Sequence, residues 1–436
     1  MSRMNDHDNR AVDDIRMRGF AHRQTVERAL AWLDAHVRSP GAEIVPLQMA
    51  AGRVLATPIV SGVDVPGFDR STMDGYAVAA EATEGASSYN HLPFVVIGDS
   101  RPGLPFCGSV AVGQAVRIMT GAPMPLGCDA VLPAEWVEST SATVATGTEV
   151  GPIETDSTSV ECISALAAVS PGKHVGRRGE DILRGTTLLQ SGRVLRPQDL
   201  GVLSSVGVGE VRVFCRPRVR LVITGNELLP TGSQPHGYRI ADANGPMLVA
   251  LVERDGGLVD FPGLVPDEHE AILNALHAEA DAIIVSGGSS VGIEDLAPTL
   301  LAQHGELAVH GVAMRPSSPT GLGRIGHRLV FLLPGNPVSC LCAYDFFAGR
   351  AIRALGGRTK AWPYRAMRAR LARKISSPIG RLDYARVQLL NGEVEPLAVG
   401  GASVLSSTTR ADGFVIVPAD SEGFPPGAEV EVWLYA

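Results

Sequence analysis

The stretch Val219-Arg-Leu-Val-Ile-Thr-Gly-Asn-Glu227 leads an apolar strand directly into a glycine turn, and the chain repeats this arrangement twice. The further copies are Asp281-Ala-Ile-Ile-Val-Ser-Gly-Gly-Ser-Ser-Val-Gly292 and Leu329-Val-Phe-Leu-Leu-Pro-Gly-Asn-Pro-Val-Ser339. Small residues at a strand end let backbone N–H groups face an anion, so three such turns favour a phosphate-bearing ligand. The alternative is that the glycines only permit tight turns between strands and helices.

The same region alternates apolar strands with amphipathic helices, which predicts an α/β domain with its ligand crevice at the carboxyl ends of the strands. Asp267 is expected to cap its helix, with Glu270 three residues later. The predicted strands are 219–223, 258–264, 282–285, 307–313 and 329–333, and the predicted helices are 246–254, one from Asp267, 295–303 and one from Val338.

The flanking regions have a different texture. Residues 25–37 have the apolar spacing of a helix, whereas short Val-rich runs between about 60 and 170, and again after Pro363, predict two β domains. Residues 147–159 are expected to form an exposed loop of the first β domain. The predicted domains are 20–60 with 172–215, an inserted domain 61–171, an α/β domain 216–361 and a C-terminal domain 362–436.

Composition restricts the class of protein. The 436 residues are 45% hydrophobic and carry a formal charge of −8, which provides no general attraction for nucleic acid or an anionic membrane. The six cysteines lack CxxC spacing, so we expect reduced thiols, and Cys340 and Cys342, two apart in a predicted helix, are expected to be buried. With no apolar run long enough to span a bilayer and no signal peptide, a cytoplasmic protein is expected.

Acidic residues accompany the glycine turns: Glu227, Asp242, Asp267 and Asp295. Carboxylates repel a phosphate unless a hard cation such as Mg²⁺ lies between them, so the set predicts a metal. The alternative for each acid is a helix cap or a solvated loop charge.

Six motifs occur in the order seen in the MoeA family of molybdopterin molybdenumtransferases, which the chain resembles over residues 20–436. They are Met73-Asp-Gly-Tyr-Ala, Ile118-Met-Thr-Gly-Ala-Pro, Arg178-Gly-Glu-Asp-Ile, Thr224-Gly-Asn-Glu-Leu, Ser286-Gly-Gly-Ser-Ser-Val-Gly and Leu333-Pro-Gly-Asn-Pro-Val-Ser. Taken alone, Asp74-Gly75 would indicate only a turn.

The resemblance implies a multidomain α/β plus β fold. The chain would be elongated, with a discontinuous N-terminal domain, an inserted β domain, a MogA-like three-layer α/β domain and a C-terminal β domain. It also implies a homodimer whose cleft lies between the α/β domain of one subunit and the Asp74 region of the other. The implied activity inserts molybdate into molybdopterin, using adenylated molybdopterin from a molybdopterin adenylyltransferase, with Mg²⁺-assisted release of AMP.

Carried over by position, the resemblance assigns three groups of residues. The catalytic group is Asp74, Glu227, Asp267 and Asp295, of which Glu227 and Asp295 would hold the metal. The substrate-binding group is Thr120, Gly121, Thr224, Asp242, Ser286, Gly287, Gly288, Ser290, Pro334, Gly335 and Asn336. The oxyanion-binding group is Arg315, Arg386 and Ser403, with Arg381 less firmly; the alternative for Arg386 is a charge on a surface strand.

The chain departs from the family at two places. Arg315-Pro-Ser-Ser-Pro319 stands where the family often has Lys-Pro-Gly-Lys-Pro, and Asn226 stands where an aspartate is common. A guanidinium does not place its charge as an ammonium does, and Ser318 carries no charge. A divergent paralogue that handles another oxyanion such as tungstate, or only binds adenylated molybdopterin, is therefore an alternative. A binding scaffold, as in the related E domain of gephyrin, is another.

Overall fold

The computed structural model describes residues 23–142, 160–287, 296–398, 401 and 403–435. These form two compact units, which are described separately. One comprises the described residues up to 57, residues 191–197 and those from 210 onward; the other comprises residues 58–190 and 198–209. No helix in the described ranges is long and apolar enough to cross a membrane.

The first unit begins with helix α1 (Val26–His36) and strand β1 (Ala42–Pro46). The Thr25 side chain caps α1 by accepting a hydrogen bond from the backbone N–H of Arg28 at 3.3 Å. Ala29 and Leu33 are fully buried on the face predicted from the apolar spacing, so this helix is confirmed.

The second unit is a β domain built around a six-stranded sheet in the order β7-β4-β6-β5-β9-β8, which confirms the first predicted β region. Phe94, Leu132 and Ile163 fill its core. The predicted loop 147–159 lies outside the described residues. The strands are β2 (Ile59–Val60), β3 (Arg70–Ser71), β4 (Gly75–Val78), β5 (Leu92–Ser100), β6 (Gln114–Ile118), β7 (Ala130–Pro133), β8 (Val137–Ala142), β9 (Val160–Ala165), β10 (Val175–Gly176) and β11 (Thr187–Leu189).

Helix α2 (Pro197–Ser205) and strand β12 (Glu210–Phe214) follow, and β12 pairs antiparallel with β1. The α/β domain then comprises β13 (Arg218–Thr224), β14 (Leu228–Leu229), β15 (Ile240–Ala241), α3 (Asn244–Arg254), β16 (Leu258–Asp260), β17 (Leu264–Val265), α4 (His269–Leu276), β18 (Ala282–Ser286), α5 (Leu296–His304), β19 (Glu306–His310), β20 (Met314–Arg315), β21 (Gly321–Ile325), β22 (Arg328–Leu333), α6 (Pro337–Ala343) and α7 (Gly349–Leu355). A π-helical turn, Tyr344–Ala348, joins α6 to α7.

The sheet of this domain has the order β16-β13-β18-β22-β21-β19, with β17 also paired to β13. Strands β13, β16, β17, β18 and β22 are parallel, as predicted from the alternating pattern. Every residue of β18 is buried, which is the expected state of a central parallel strand covered by helices on both faces. The carboxyl ends of β13, β18 and β22 therefore meet at one edge.

Three local predictions are corrected. The capping prediction for Asp267 is wrong, because α4 begins at His269 and has no side-chain cap hydrogen bond. Helix α3 begins two residues before the expected Pro246, because the Asp242 carboxylate accepts the Gly245 N–H at 2.9 Å. Strand β21 was not predicted: its glycines weaken the strand signal, yet a Cβ at Gly323 would lie 2.1 Å from the Glu306 carbonyl oxygen.

The C-terminal region is a closed barrel, which confirms the second predicted β region. Neighbours β25-β26-β23-β29-β27 pair in turn, and β27 pairs back with β25. Strand β20 adds to β25 and so joins the barrel to the α/β domain. The elements are β23 (Arg365–Leu371), β24 (Ile375–Ser376), β25 (Leu382–Leu390), β26 (Glu393–Ala398), α8 (Ser406–Arg410), β27 (Gly413–Val417), β28 (Gly423–Phe424) and β29 (Glu429–Leu434).

A buried carboxylate lies where the barrel packs on the α/β domain. Asp345 is fully buried and accepts hydrogen bonds from the hydroxyls of Tyr364 at 2.8 Å and Tyr384 at 3.3 Å. Arg254 lies 3.5 Å from the same carboxylate. Burial raises the pKa of Asp345 to about 6, against the opposing attraction of Arg254.

This raised pKa predicts a pH dependence of stability. The folded chain binds the Asp345 proton more tightly than the unfolded chain does. The stabilisation of the folded state by protonated Asp345 is therefore fully present below about pH 4 and is lost as the pH rises through about 6. Asp345→Asn should reduce the loss of unfolding free energy between pH 4 and 7 by on the order of 2–3 kcal/mol. Urea unfolding of both proteins at several pH values measures this difference. If the unfolding free energies of the two proteins changed equally with pH, the prediction would be contradicted.

Candidate functional site

The turns that follow β13, β18 and β22 are in contact at the carboxyl edge of the sheet. A Cβ at Gly287, where φ is +102°, would lie 1.9 Å from the carbonyl oxygen of Thr224. A Cβ at Gly335 would lie 3.7 Å from the Cα of Gly287. The three glycine turns singled out in the sequence thus form one surface, and glycine at 287 is required by both conformation and space.

Asn244, the first residue of α3, links two of these turns. Its amide nitrogen donates to the Ser286 hydroxyl at 2.9 Å and to the Gly335 carbonyl at 2.7 Å. Sequence reasoning did not select Asn244 as a site residue. The available signal was its position at the start of a helix, two residues after the acidic Asp242, since Asp and Asn are common at helix starts.

Three side-chain oxygens at this edge are buried without a hydrogen-bond partner in the part of the chain that the structure describes: Thr224 Oγ1, Asp242 Oδ2 and Asn244 Oδ1. An unsatisfied buried polar group costs about 1–3 kcal/mol, which makes these three oxygens candidates for contact with a ligand. Carboxylate, amide and hydroxyl oxygens suit a hard cation or the donor groups of a polar substrate.

The thiol of Cys340 lies beneath this cluster. It is 3.6 Å from the Ser286 hydroxyl, and burial raises its pKa to about 12. Because the thiolate is the nucleophilic form of cysteine, Cys340 is a packing residue at neutral pH. All six cysteines are free, and Cys340 and Cys342 are buried, as expected.

The other predicted acids are distributed differently. Glu227 is exposed, and a Cβ at Gly225 would lie 2.7 Å from its Oε2 atom, so this carboxylate lies at the rim beside the first turn. Asp267 is half-buried two residues after β17. Gly288, Ser290 and Asp295 lie outside the described residues. Among the described residues, no three His, Cys, Asp or Glu side chains are grouped to hold a metal.

The remaining predicted residues of the third turn lie at the start of α6. Pro334 is buried, whereas Gly335 and Asn336 are exposed. Asn336 is the N-cap residue of α6 but makes no side-chain cap hydrogen bond. Its amide therefore faces solvent at the same edge as the glycine turns.

Arg315 forms a two-pronged ion pair with Asp383, in which its Nε donates to Oδ1 at 3.0 Å and its Nη2 to Oδ2. Asp383 is fully buried, so the carboxylate already balances the charge of this guanidinium. Nearby, Ser317 donates to the Ser339 carbonyl at 2.5 Å, which sets the segment beside α6. The Ser318 hydroxyl is buried and has no partner among the described residues.

Arg386 is fully buried on β25, so the alternative that it is a surface-strand charge is wrong. A Cβ at Gly401 would lie 4.0 Å from its Nη2 atom, which puts Arg386 beside the segment that contains Ser403. Ser403 itself is exposed, and Arg381, less firmly assigned, is half-buried at the start of the same strand region.

In the second unit, Asp74 and Thr120 form a closed hydrogen-bonded pair. Asp74 Oδ1 accepts from the Thr120 backbone N–H at 2.6 Å and from its hydroxyl at 2.9 Å, and these bonds lower the pKa of Asp74. Gly75 is not a turn glycine: it begins β4, and a Cβ there would lie 2.1 Å from the Leu132 carbonyl oxygen. Asp74 is therefore an exposed, ionised carboxylate, with Gly121 next to its partner.

Turns from three parallel strands that meet at one edge are typical of an α/β domain that binds its ligand there, and here that domain lies between β domains in the sequence. Comparison with protein families agrees with this division. Residues 24–207 match the MoeA N-terminal region (domain I and II), residues 220–354 a probable molybdopterin binding domain, and residues 368–435 the MoeA C-terminal region (domain IV). The chain belongs to the MoeA family.

Individual relatives match over most of their length. Molybdopterin molybdenumtransferase 2 of Mycobacterium tuberculosis is 33% identical over 402 residues, which cover 89% of this chain and 94% of the relative. Molybdopterin molybdenumtransferase of Haemophilus influenzae is 31% identical, with 89% and 93% covered. The crystal structure of the molybdopterin biosynthesis MoeA protein from Pyrococcus horikosii superposes with a TM-score of 0.78 at 33% identity, covering 95% of this chain and 99% of that one.

The contact between turns predicts unequal effects of two alanine substitutions. Gly287 and Gly263 share a φ of +102°, but a Cβ at Gly263 meets nothing within 4 Å. Gly263→Ala should cost about 1 kcal/mol of unfolding free energy through backbone strain alone. Gly287→Ala should cost several-fold more, because its Cβ also collides with the Thr224 carbonyl. If urea unfolding gave equal losses of unfolding free energy for the two variants, the close approach of Gly287 to the Thr224 carbonyl would be contradicted.

Proposed function

We propose that this protein inserts molybdate into the dithiolene of molybdopterin, with adenylated molybdopterin as substrate and AMP as the second product. The names of its full-length relatives support the transferase activity. The observation that carries the proposal for this chain is the buried cluster of Thr224, Asp242 and Asn244 oxygens at the junction of three glycine turns.

The turns suit the pyrophosphate linkage of that substrate. Backbone N–H groups at strand ends and helix starts stabilise phosphate oxygens without a side-chain cation. Ser286, Gly287 and Gly335 would line the phosphate region, and Asn244 holds two of these turns in register. Transfer at phosphorus depends on positioning and electrostatic stabilisation more than on a protein nucleophile, which agrees with the protonated Cys340 thiol.

The oxygen donors at this edge are of the chemical type that binds a magnesium ion. Asp242, whose Oδ2 is buried and unpartnered among the described residues, would hold it together with Glu227 and Asp295. When bound, Mg²⁺ would offset the charge of the phosphate oxygens as a Lewis acid. Asp242 meanwhile keeps its other oxygen on the Gly245 N–H, so the carboxylate is oriented before ligand arrives.

The second unit would complete the site from another copy of the chain. Asp74 is exposed and ionised, and Thr120 orients it through two hydrogen bonds. We propose a homodimer in which Asp74, Thr120 and Gly121 of one subunit face the α/β domain of the other, with a molybdopterin adenylyltransferase as the substrate donor.

A second candidate function follows from Arg315. Its charge is matched by buried Asp383, and Ser318 presents a neutral hydroxyl, so this segment attracts an oxyanion less than two free lysines would. Arg386, buried beside the segment containing Ser403, and Arg381 are the other predicted cations for molybdate. A paralogue that handles tungstate, or cleaves or binds adenylated molybdopterin without insertion, is the alternative.

One reconstitution assay separates these functions. Purified protein is supplied with adenylated molybdopterin, Mg²⁺ and molybdate or tungstate, and both AMP release and activation of an apo-molybdoenzyme are measured. The transferase should give both with molybdate. AMP release without activation would favour the paralogue, and neither product would reject catalysis.

Asp242→Asn tests the carboxylate at the buried cluster. The amide keeps an acceptor for the Gly245 N–H but removes the charge, so unfolding free energy should change by less than about 1 kcal/mol. AMP release should fall by roughly 10- to 100-fold, with a higher Mg²⁺ requirement, as for a lost metal-orienting group. Unchanged Mg²⁺ dependence would remove Asp242 from the metal site.

Asp74→Asn should lower turnover by at least about tenfold, because a charge next to the reacting groups would be lost. Asp129→Asn is the matched control: it too accepts a backbone N–H, from Ala80 at 2.8 Å, but lies at the opposite end of β4. Equal turnover of the two variants would exclude a specific role for Asp74. Analytical ultracentrifugation of both checks that the oligomeric state is retained.

A further inference from the structure

A polar cavity lies at the amino-terminal edge of the α/β sheet, opposite the candidate site. It has a volume of about 220 Å³ and is lined by Gly52, Arg53, Cys215, Arg216, Gly256 and Arg358, among others. Its position follows from the chain: residues 214–216 precede β13, and Gly256 precedes β16. Neither the glycine turns nor the predicted oxyanion residues reach it.

Three guanidinium groups from separate segments converge on this cavity. Arg216 donates from Nε to the Gly256 carbonyl at 3.2 Å and from Nη2 to the Gly257 carbonyl at 2.7 Å. Arg358 lies across the same turn, since a Cβ at Gly256 would be 2.9 Å from its Nε. Gly256 thus lies between these two cations.

Arg358 also connects this turn to the third arginine. Its Nη1 donates to the Arg254 carbonyl at 3.0 Å and its Nη2 to the Gly52 carbonyl at 3.1 Å. The next residue, Arg53, donates from Nη2 to the Phe214 carbonyl at 3.0 Å. These contacts hold the three side chains in place before any ligand binds.

The charge of the cavity is not balanced. Arg53 pairs with Glu43, but Arg216 and Arg358 form no ion pair in the part of the chain that the structure describes. Glu253 is the single carboxylate in the lining, and it is exposed. Burial lowers the pKa of Arg358, and the positive charges of Arg216 and Arg353 add to this effect against the attraction of Asp255.

Hydrogen bonds to backbone carbonyls account for only some of the N–H groups of these three arginines. Arginines near the ends of α3 and α7 are expected to satisfy terminal carbonyls, and here they do so. Each guanidinium has five N–H groups, however, and neutral carbonyls do not compensate its charge. The Nε of Arg53 is buried with no partner among the described residues, and Arg216 Nη1 is not used in the capping bonds.

We infer that this cavity is a binding site for a small oxyanion, either inorganic phosphate or the phosphate group of a monoester. Guanidinium groups held in fixed orientation match the geometry of phosphate oxygens. The volume is several times the roughly 30 Å³ that a water molecule occupies, so the anion fits with some of its hydration or with part of an ester. The site does not depend on the proposed transferase activity.

Cys215 provides a local measurement, because its half-buried thiol lines the same cavity. The full chain is treated with iodoacetamide at constant ionic strength, with phosphate replacing chloride, and alkylation of each cysteine is followed by peptide mass spectrometry. At a phosphate concentration about ten times the dissociation constant, alkylation of Cys215 should slow about tenfold, since only the unliganded fraction reacts. Exposed Cys107 serves as the internal control and should not change.

Arg216→Gln and Arg358→Gln should each abolish the protection of Cys215. Arg184→Gln, an equal loss of charge at an exposed position of the other unit, should leave it intact. Protection that is absent in the unsubstituted chain, or that persists in both cavity variants, overturns the inference. If Cys340 and Cys342, which are buried, become alkylated in a Gln variant, that variant is unfolded. Arg216→Lys and Arg358→Lys then replace the Gln variants, and both should retain the protection of Cys215.

Protection by AMP at lower concentrations than phosphate would identify a monoester as the ligand. Protection by phosphate alone would identify the inorganic anion. Both results support the site, whereas an equal effect of AMP on Cys107 would indicate non-specific shielding and count against it.

Discussion

The close approach of two backbone segments at the carboxyl edge of the α/β sheet is the constraint on which the candidate site depends. The carbonyl of Thr224 occupies the position that any side chain at 287 would need. This contact lets the turns after β13 and β18 share one surface, and Asn244 then ties Ser286 to the third turn. The contact also places Thr224, which has a buried hydroxyl oxygen, directly beside Gly287.

A second constraint is a set of buried carboxylates between the barrel and the α/β domain. Asp345 and Asp255 are buried among Arg254, Arg353 and tyrosine hydroxyls where the barrel packs on the α/β domain. Buried carboxylates are tolerated because each is hydrogen-bonded to a cation or a hydroxyl. The same junction carries β20 and the Arg315–Asp383 pair, so the segment predicted to bind an oxyanion is held by the contact between two domains.

Local signals were sufficient for much of the fold. The buried strands β13, β18 and β22 are continuous apolar runs, and α1 has a one-sided apolar spacing, so both are legible without tertiary information. Strand β21 was missed because Gly321 and Gly323 weaken the strand pattern. Both positions hold glycine because a Cβ there would collide with neighbouring residues. Asp267 resembled a cap by spacing alone, yet its helix begins beyond it. Such errors arise where packing overrides local preference.

The sequence by itself determined that glycine turns at strand ends would be accompanied by acids, and that the chain contains an α/β domain between β regions. It did so because strand, turn and helix preferences are local properties of the residues. Only the tertiary structure decided that Asn244 clamps two turns, that Arg315 is neutralised by Asp383, and that Arg386 is buried. Those outcomes depend on which distant segments meet, and the arginine cavity around Gly256 arises in the same way.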